Sequence, residues 1–193
     1  MGEQPGDRSA HGAAHDERWP TPLLAQPRYG GSRVGRRRGG KDKPVSRTWS
    51  SLRDGAPGRT FSITVVEPDD VVRACATARS AAEQAGISSF GAVEAATATA
   101  EVTRNIVSYA GRGLVEIRQV DDGRHRGIVV LATDDGPGID DIHSALGPAP
   151  TTGLRLGLGL RGARRLMDVF TLESHPGAGT RIEMAKWVTR WTR

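Results

Sequence analysis

"LRLGLGLRGARRL" (residues 154–166) sets Gly157, Gly159 and Gly162 in a Gly-x-Gly-x-x-Gly spacing ahead of a run with helical character. A dinucleotide-binding turn with that spacing needs a β-strand running straight into the first glycine, so that a strand end and a helix N-terminus meet one pyrophosphate. The residues before it, "DDGPGIDDIHSALGPAPTTG" (134–153), are rich in Gly, Pro, Asp and Thr and predict a long loop. What the stretch does offer is a row of backbone N–H groups leading into a helix N-terminus, which is an anion site. Which anion it serves depends on what surrounds it.

Upstream, "RTFSITVVE" (59–67) alternates and is β-branched, which predicts a strand. "PDDVVRACATARSAAEQAG" (68–86) predicts a helix with both ends marked, by Pro68, Asp69 and Asp70 at the start and Gly86 at the stop. "SSFGAVEAATATAEVTRNIVSYAG" (88–111) predicts a second helix, with Ala95, Ala98, Val102, Ile106 and Tyr109 on its apolar face and Gly111 closing it. "LVEIRQVDD" and "RGIVVLATDD" predict a hairpin joined through residues 121–126. After the Gly-rich loop and the "GLRGARRLMD" helix, "VFTLESH" and "GTRIEMAKW" predict a final hairpin turning at "PGAG". This order predicts an α+β, two-layer sandwich with helices on one face of a mixed, mostly antiparallel sheet.

Charge divides the chain in two. Residues 1–60 carry 12 Lys/Arg against 6 Asp/Glu, and the remaining 133 carry 15 against 16, so the net charge of +5 belongs to the N-terminal third. That third holds 10 Gly and 6 Pro and shows no apolar period, which predicts a disordered basic tail over residues 1–58 and one folded domain over 59–193. Arg36 to Arg38 form a cationic cluster, but no aromatic residues interleave it to stack on bases, which argues for a solvated tail over a nucleic-acid site. No apolar stretch has the length of a signal h-region or a membrane span, so a cytoplasmic protein without a membrane partner is expected. A single cysteine, Cys75, excludes an intrachain disulfide and a multi-Cys metal site, and its default reading is a small buried side chain.

Three segments can carry chemistry. Glu101 and Asn105 lie four apart, so a carboxylate able to accept a proton and a carboxamide able to ligate a hard cation leave one helix face; a surface hydrogen bond is the bland alternative. In "DDGPGI", Asp134 ends an apolar strand, where a carboxylate can accept from a purine amino group, and Gly136 and Gly138 let a ligand lie against the backbone; a tight turn uses the same residues. The third segment is the anion site of the opening stretch.

Taken in order, Glu101-x-x-x-Asn105, Asp134-x-Gly136-x-Gly138, Gly157-x-Gly159 and Gly179-Thr180 resemble the Bergerat ATP-binding (GHKL) fold shared by gyrase, histidine kinases and the mismatch-repair ATPases. The match covers about residues 59–188. "EVTRNIVSYAGRG", "DDGPGID", "GLGLRGARRLMDVF" and "PGAGTRIEMAKW" narrow the resemblance to the anti-sigma-factor serine/threonine kinases, and within them to the RsbT-type switch kinases of stressosomes. The resemblance implies that ATP and Mg²⁺ are the cofactors. By it, Asn105 holds the metal, Glu101 orients or deprotonates the attacking hydroxyl, and Asp134 binds the adenine amino group. Gly136 and Gly138 allow close approach, Gly157 and Gly159 offer amides to the phosphates, and Thr180 supports adenine through its hydroxyl or a water. The resemblance also implies that Ile139, Leu158 and Leu160 belong to the nucleotide site. These roles suit phosphoryl transfer, where catalysis is mostly positioning and charge stabilisation.

One departure is the pair Leu154-Arg155, where relatives commonly carry a glycine-richer stretch. Arg155 could reach the γ-phosphate as a lid cation, or stiffen the lid and face water. The chain shows no dimerising helix pair bearing a phospho-accepting His, as in histidine kinases, and no coupled second domain, as in gyrase. A free-standing nucleotide domain that acts on another protein is therefore expected. The resemblance implies a serine/threonine kinase whose substrates are STAS-domain antagonist or scaffold proteins and which then activates a PP2C-type phosphatase. The alternative is an ATP-binding anti-sigma factor or nucleotide-gated adaptor, with a sigma factor as partner and no significant transfer.

Overall fold

The computed structural model describes residues 58–123, 125–146 and 159–189. The expected tail lies outside them, apart from Gly58, and so do Arg155, Gly157 and Leu158. In chain order the elements are β1 (Thr60–Val65), α1 (Pro68–Gln84), α2 (Ser89–Asn105), a π-helical turn (Ile106–Ala110), β2 (Gly113–Asp121), β3 (Arg126–Asp134), α3 (Ile142–Leu146), α4 (Gly159–Leu166), β4 (Val169–His175) and β5 (Gly179–Trp187). The strands form one five-stranded sheet in the order β1-β2-β3-β5-β4. Every pairing among them is antiparallel, so the parallel component implied by a mixed sheet is absent from the described strands. None of the described helices is long and apolar enough to cross a bilayer.

Local chemistry accounts for the helix ends. Asp70 Oδ2 accepts from the Glu67 N–H, the N-cap donor of α1, at 3.0 Å and from the preceding Val66 N–H at 2.8 Å, which ties the end of β1 to the first helical turn. Those two bonds, with the neighbouring Arg73 guanidinium, hold the Asp70 carboxyl below its ordinary value. Ser88 Oγ caps α2 by accepting from Gly91 N–H at 3.2 Å.

Helices α1 and α2 meet through small side chains, Ala74, Ala78, Ala81 and Ala82 on one and Ala92, Ala95 and Ala98 on the other, all buried. Short side chains let the axes approach closely, and both helices then lie on Val65, Val115, Ile117, Ile128, Val130, Ile182 and Met184 of the sheet. β3 is buried on both faces. Val129 (1% exposed) and Leu131 (4%) pack with Val120 and Ala185 on the side away from the helices, which explains the unbroken apolar run "GIVVLA" where a half-buried strand would alternate.

Three expectations are corrected here. The second helix does not continue regularly to Gly111: it is α-helical only to Asn105, and the Gly111 N–H then bonds back five residues to the Ile106 carbonyl at 2.8 Å. The wider turn breaks the three-and-four spacing, so Tyr109, expected on the core face, is 63% exposed. Cys75 is only partly buried, because α1 turns that position toward the edge of its contact face. Gly111 does close the segment, in the left-handed conformation expected of a helix-ending glycine. Within the expected long loop, residues 142–146 form the short helix α3.

Candidate functional site

A cavity of about 550 Å³ opens between the sheet and the helices, in the size range of small-ligand sites. Its floor is the pair of central strands, through Ala132 and Asp134 of β3 and Thr180 and Ile182 of β5. One wall is α2 with its π-turn, through Val102, Asn105, Ile106 and Tyr109. Pro137, Gly138 and Ile139 close a second side, and Leu160 of α4 a third. Apart from Asp134, Asn105, Thr180 and the hydroxyls of Tyr109 and Ser144, these walls present mainly carbon, which suits a flat, largely apolar ring held by few polar contacts.

Asp134 is the last residue of β3 and lies opposite Thr180 in the β3–β5 register. Its Oδ1 accepts from the Gly136 N–H at 3.0 Å. Burial pushes its carboxyl above the ordinary value of 3.8, against the lowering effect of the Gly136 and Thr180 backbone N–H groups. A half-buried acceptor on the cavity floor is placed to take a donor supplied by a ligand.

Thr180 is held by a partner that sequence reasoning passed over. Ser174 Oγ accepts from the Ile139 N–H at 2.9 Å, donates to the Gly179 carbonyl at 3.0 Å and is hydrogen-bonded to Thr180 Oγ1 at 2.9 Å. One buried hydroxyl thus joins the loop after β3 to the β4–β5 hairpin and orients the Thr180 side chain. The signal was available only through the register: Ser174 and Thr180 face each other across β4 and β5. The same junction explains Gly138, whose φ is +75°. A Cβ there would stand 2.1 Å from the His175 carbonyl oxygen, so the loop approaches the hairpin more closely than any side chain permits. The Gly177 N–H donates to the Pro137 carbonyl at 2.7 Å alongside.

Glu101 and Asn105 leave one face of α2, as their spacing predicts, but they meet different surroundings. Asn105 lines the cavity. Glu101 stands beside it, with Oε1 on Arg104 at 2.6 Å and Oε2 accepting from the Gly159 N–H at 3.0 Å, at the start of α4. The structure therefore brings together Asn105, Asp134, Gly138, Ile139, Leu160 and Thr180 around one cavity, and Glu101 and Gly159 next to it. Gly136 supports the loop from behind, where a Cβ would fall 2.6 Å from that of Ala110. Tyr109, Ser144 and Arg104 were not singled out for the site from sequence. The first was hidden by the assumption of a regular helix, the second by the loop it folds in, and the third because the i, i+4 pair of Glu101 and Asn105 left the i+3 position aside.

Residues 64–186 match the family model described as a histidine kinase-like ATPase domain. The chain is 40% identical over 119 residues to the serine/threonine-protein kinase RsbT of Bacillus subtilis (strain 168), across 62% of this chain and 90% of that protein. It is 34% identical over 101 residues to the anti-sigma F factor of Caldanaerobacter subterraneus subsp. tengcongensis, across 49% of this chain and 68% of that protein. The anti-sigma F factor of Thermoanaerobacter sp. (strain X514) is likewise 34% identical, over 98 residues, with 48% and 67% covered. The order of the elements, the antiparallel sheet and the cavity between sheet and helices agree with these likenesses, and the chain belongs to the histidine kinase-like (GHKL-type, Bergerat-fold) ATPase domain family, alongside RsbT and the anti-sigma F factors.

Proposed function

We propose that the protein binds ATP in this cavity and acts as a serine/threonine protein kinase in a partner switch, with STAS-domain antagonist or scaffold proteins as substrates and a PP2C-type phosphatase as the partner engaged afterwards. The residues fit the nucleotide. Asp134 offers a half-buried acceptor for the adenine amino group, Thr180 a hydroxyl fixed by Ser174, and Gly138 a backbone that a ring can lie against. Gly159 carries a backbone donor at a helix start for phosphate, joined in this reading by Gly157, Leu158 and Arg155. Among the described residues no group of three or more His, Cys, Asp and Glu could hold a metal alone. Mg²⁺ on Asn105 would thus take its other ligands from phosphate oxygens and water, as is usual for this ion.

The observation that carries the enzymatic reading is the placement of Glu101 one helical turn from Asn105, at the α4 end of the cavity. ATP supplies the phosphoryl group and its bridging oxygen as leaving group. Glu101 then holds the acceptor hydroxyl and takes its proton as the new O–P bond forms and the β–γ bridge breaks, releasing ADP and passing the proton to water. General-base contributions are typically about 10² to 10⁴ in rate. Glu101→Gln, which keeps the shape of the side chain, is therefore expected to lose no nucleotide or partner affinity and to lose phosphate incorporation by about that factor.

The likeness to the anti-sigma F factors supports a second reading, an ATP-dependent anti-sigma factor or adaptor whose partner is a sigma factor. The assay is labelled ATP, Mg²⁺ and candidate STAS proteins, with capture and incorporation measured on one preparation. Wild-type protein that captures such a partner with ATP but never phosphorylates it would refute the kinase reading and leave the adaptor.

A further inference from the structure

Glu101 is engaged at both oxygens. Oε1 pairs with the Arg104 guanidinium at 2.6 Å, and Oε2 accepts from the Gly159 N–H at 3.0 Å. The carboxylate is mostly enclosed (14% exposed) while the Arg104 side chain is half open to solvent (54%). Gly159 is the first residue of α4, with φ +52°, so its N–H is one of the donors that a helix start leaves to an outside anion. The side chain of a neighbouring helix supplies that anion here.

This contact conflicts with the roles proposed above. The Gly159 amide has one proton and cannot serve the Glu101 carboxylate and a nucleotide phosphate with full strength at once, and two anions at one donor also repel. An Oε2 that already accepts from the Gly159 N–H is also a weaker base toward an acceptor hydroxyl, because that bond stabilises its charge. The two partners of Glu101 differ in kind. Arg104 sits on α2 itself, at i+3, so its contact survives any movement of α4, whereas the Gly159 contact joins two elements that are 58 residues apart in the chain.

We propose that Arg104 is the positioning residue for Glu101. It keeps the carboxylate in place on α2 while the Gly159 N–H passes from Glu101 to a nucleotide phosphate, and so gives Oε2 its full basicity toward the acceptor hydroxyl once nucleotide is bound. The inference rests on the kinase reading for its last step, but the exchange at Gly159 requires nucleotide alone. The guanidinium has a second effect, because it offsets the repulsion between the carboxylate and the incoming phosphates, which would otherwise turn the unrestrained Glu101 side chain outward.

The test uses the full chain and the variants Glu101→Gln, Arg104→Ala and Arg104→Lys. Affinity for Mg·ATP, amide exchange across residues 159–166, and the kcat and KM of phosphate incorporation are measured for each. Glu101→Gln, whose neutral amide competes less for the Gly159 N–H, should bind ATP three- to tenfold more tightly and exchange faster at the start of α4 in the absence of nucleotide. Arg104→Ala should keep its ATP affinity within threefold, keep KM for the acceptor, and lose at least tenfold in kcat, while Arg104→Lys recovers most of that loss. A Glu101→Gln protein that binds ATP no better than wild type overturns the exchange. An unchanged kcat in Arg104→Ala, or an equal loss in Arg104→Lys, overturns the positioning role. If the wild type phosphorylates no acceptor, the kinase reading fails, and with it the positioning role in transfer, while the affinity of Glu101→Gln still decides the exchange at Gly159.

Discussion

Replacing Gly138 by Ala should damage the protein in a way that can be divided into two parts. The residue has φ +75°, and an added Cβ would lie 2.1 Å from the His175 carbonyl oxygen and 2.8 Å from the His175 carbonyl carbon. Carbon to oxygen contacts settle near 3.3 Å, so loop and hairpin must separate by about 1.2 Å. The left-handed conformation alone costs a residue with a Cβ about 1–2 kcal/mol. Separation also strains the Gly177 N–H bond to the Pro137 carbonyl (2.7 Å) and the Ile139 N–H bond to Ser174 (2.9 Å), each worth about 1 kcal/mol. The total is about 3–4 kcal/mol. Gly123 is the control, since its φ of +77° is nearly the same and an added Cβ there meets nothing within 4 Å. Gly123→Ala should show the conformational cost alone, leaving a difference of about 2 kcal/mol, or about 1 M in urea midpoint at a typical slope. The loop that moves is anchored at Asp134, so ATP affinity should also fall more than tenfold in Gly138→Ala and stay unchanged in Gly123→Ala. Equal urea midpoints for the two variants would refute the close-approach argument.

Asp134→Asn exchanges a charge-assisted acceptor for a neutral one, so ATP and ADP affinities should fall together, by about 5- to 30-fold; loss for ATP alone would place Asp134 near the phosphates. Because burial raises the Asp134 pKa above 3.8, the wild-type affinity should climb with pH through that raised value and then level off, and titrations of binding against pH should show this acid limb missing from the Asn variant. Ser174→Ala leaves the Ile139 N–H and the Thr180 hydroxyl without their buried partner, an expected loss of about 1–3 kcal/mol in denaturant unfolding, accompanied by weaker binding of adenine nucleotides. Removal of residues 1–50, a stretch too poor in apolar side chains to offset the entropy of ordering, should leave ATP affinity within tenfold when measured by calorimetry.

Much of this architecture was legible in the chain because its signals are local. Pro68 and Gly86 bracket α1, and "PGAG" marks the β4–β5 turn, since proline and glycine act on the backbone at their own positions whatever surrounds them. Asp134 at the end of an apolar run and Glu101 one turn before Asn105 follow from strand length and the helical period, and their order along the chain was enough to suggest the family. Tertiary structure alone decided three things. It widened the end of α2 into a π-turn, which one residue's misfit in spacing cannot announce and which carries Tyr109 from the core to the cavity rim. It set the β4–β5 register that puts Ser174 against Thr180 and the loop after β3. It also brought the Gly159 N–H to Glu101 across 58 residues. Each of these depends on where two distant backbones come to rest against one another, a balance of packing over the whole domain that no short stretch of sequence contains.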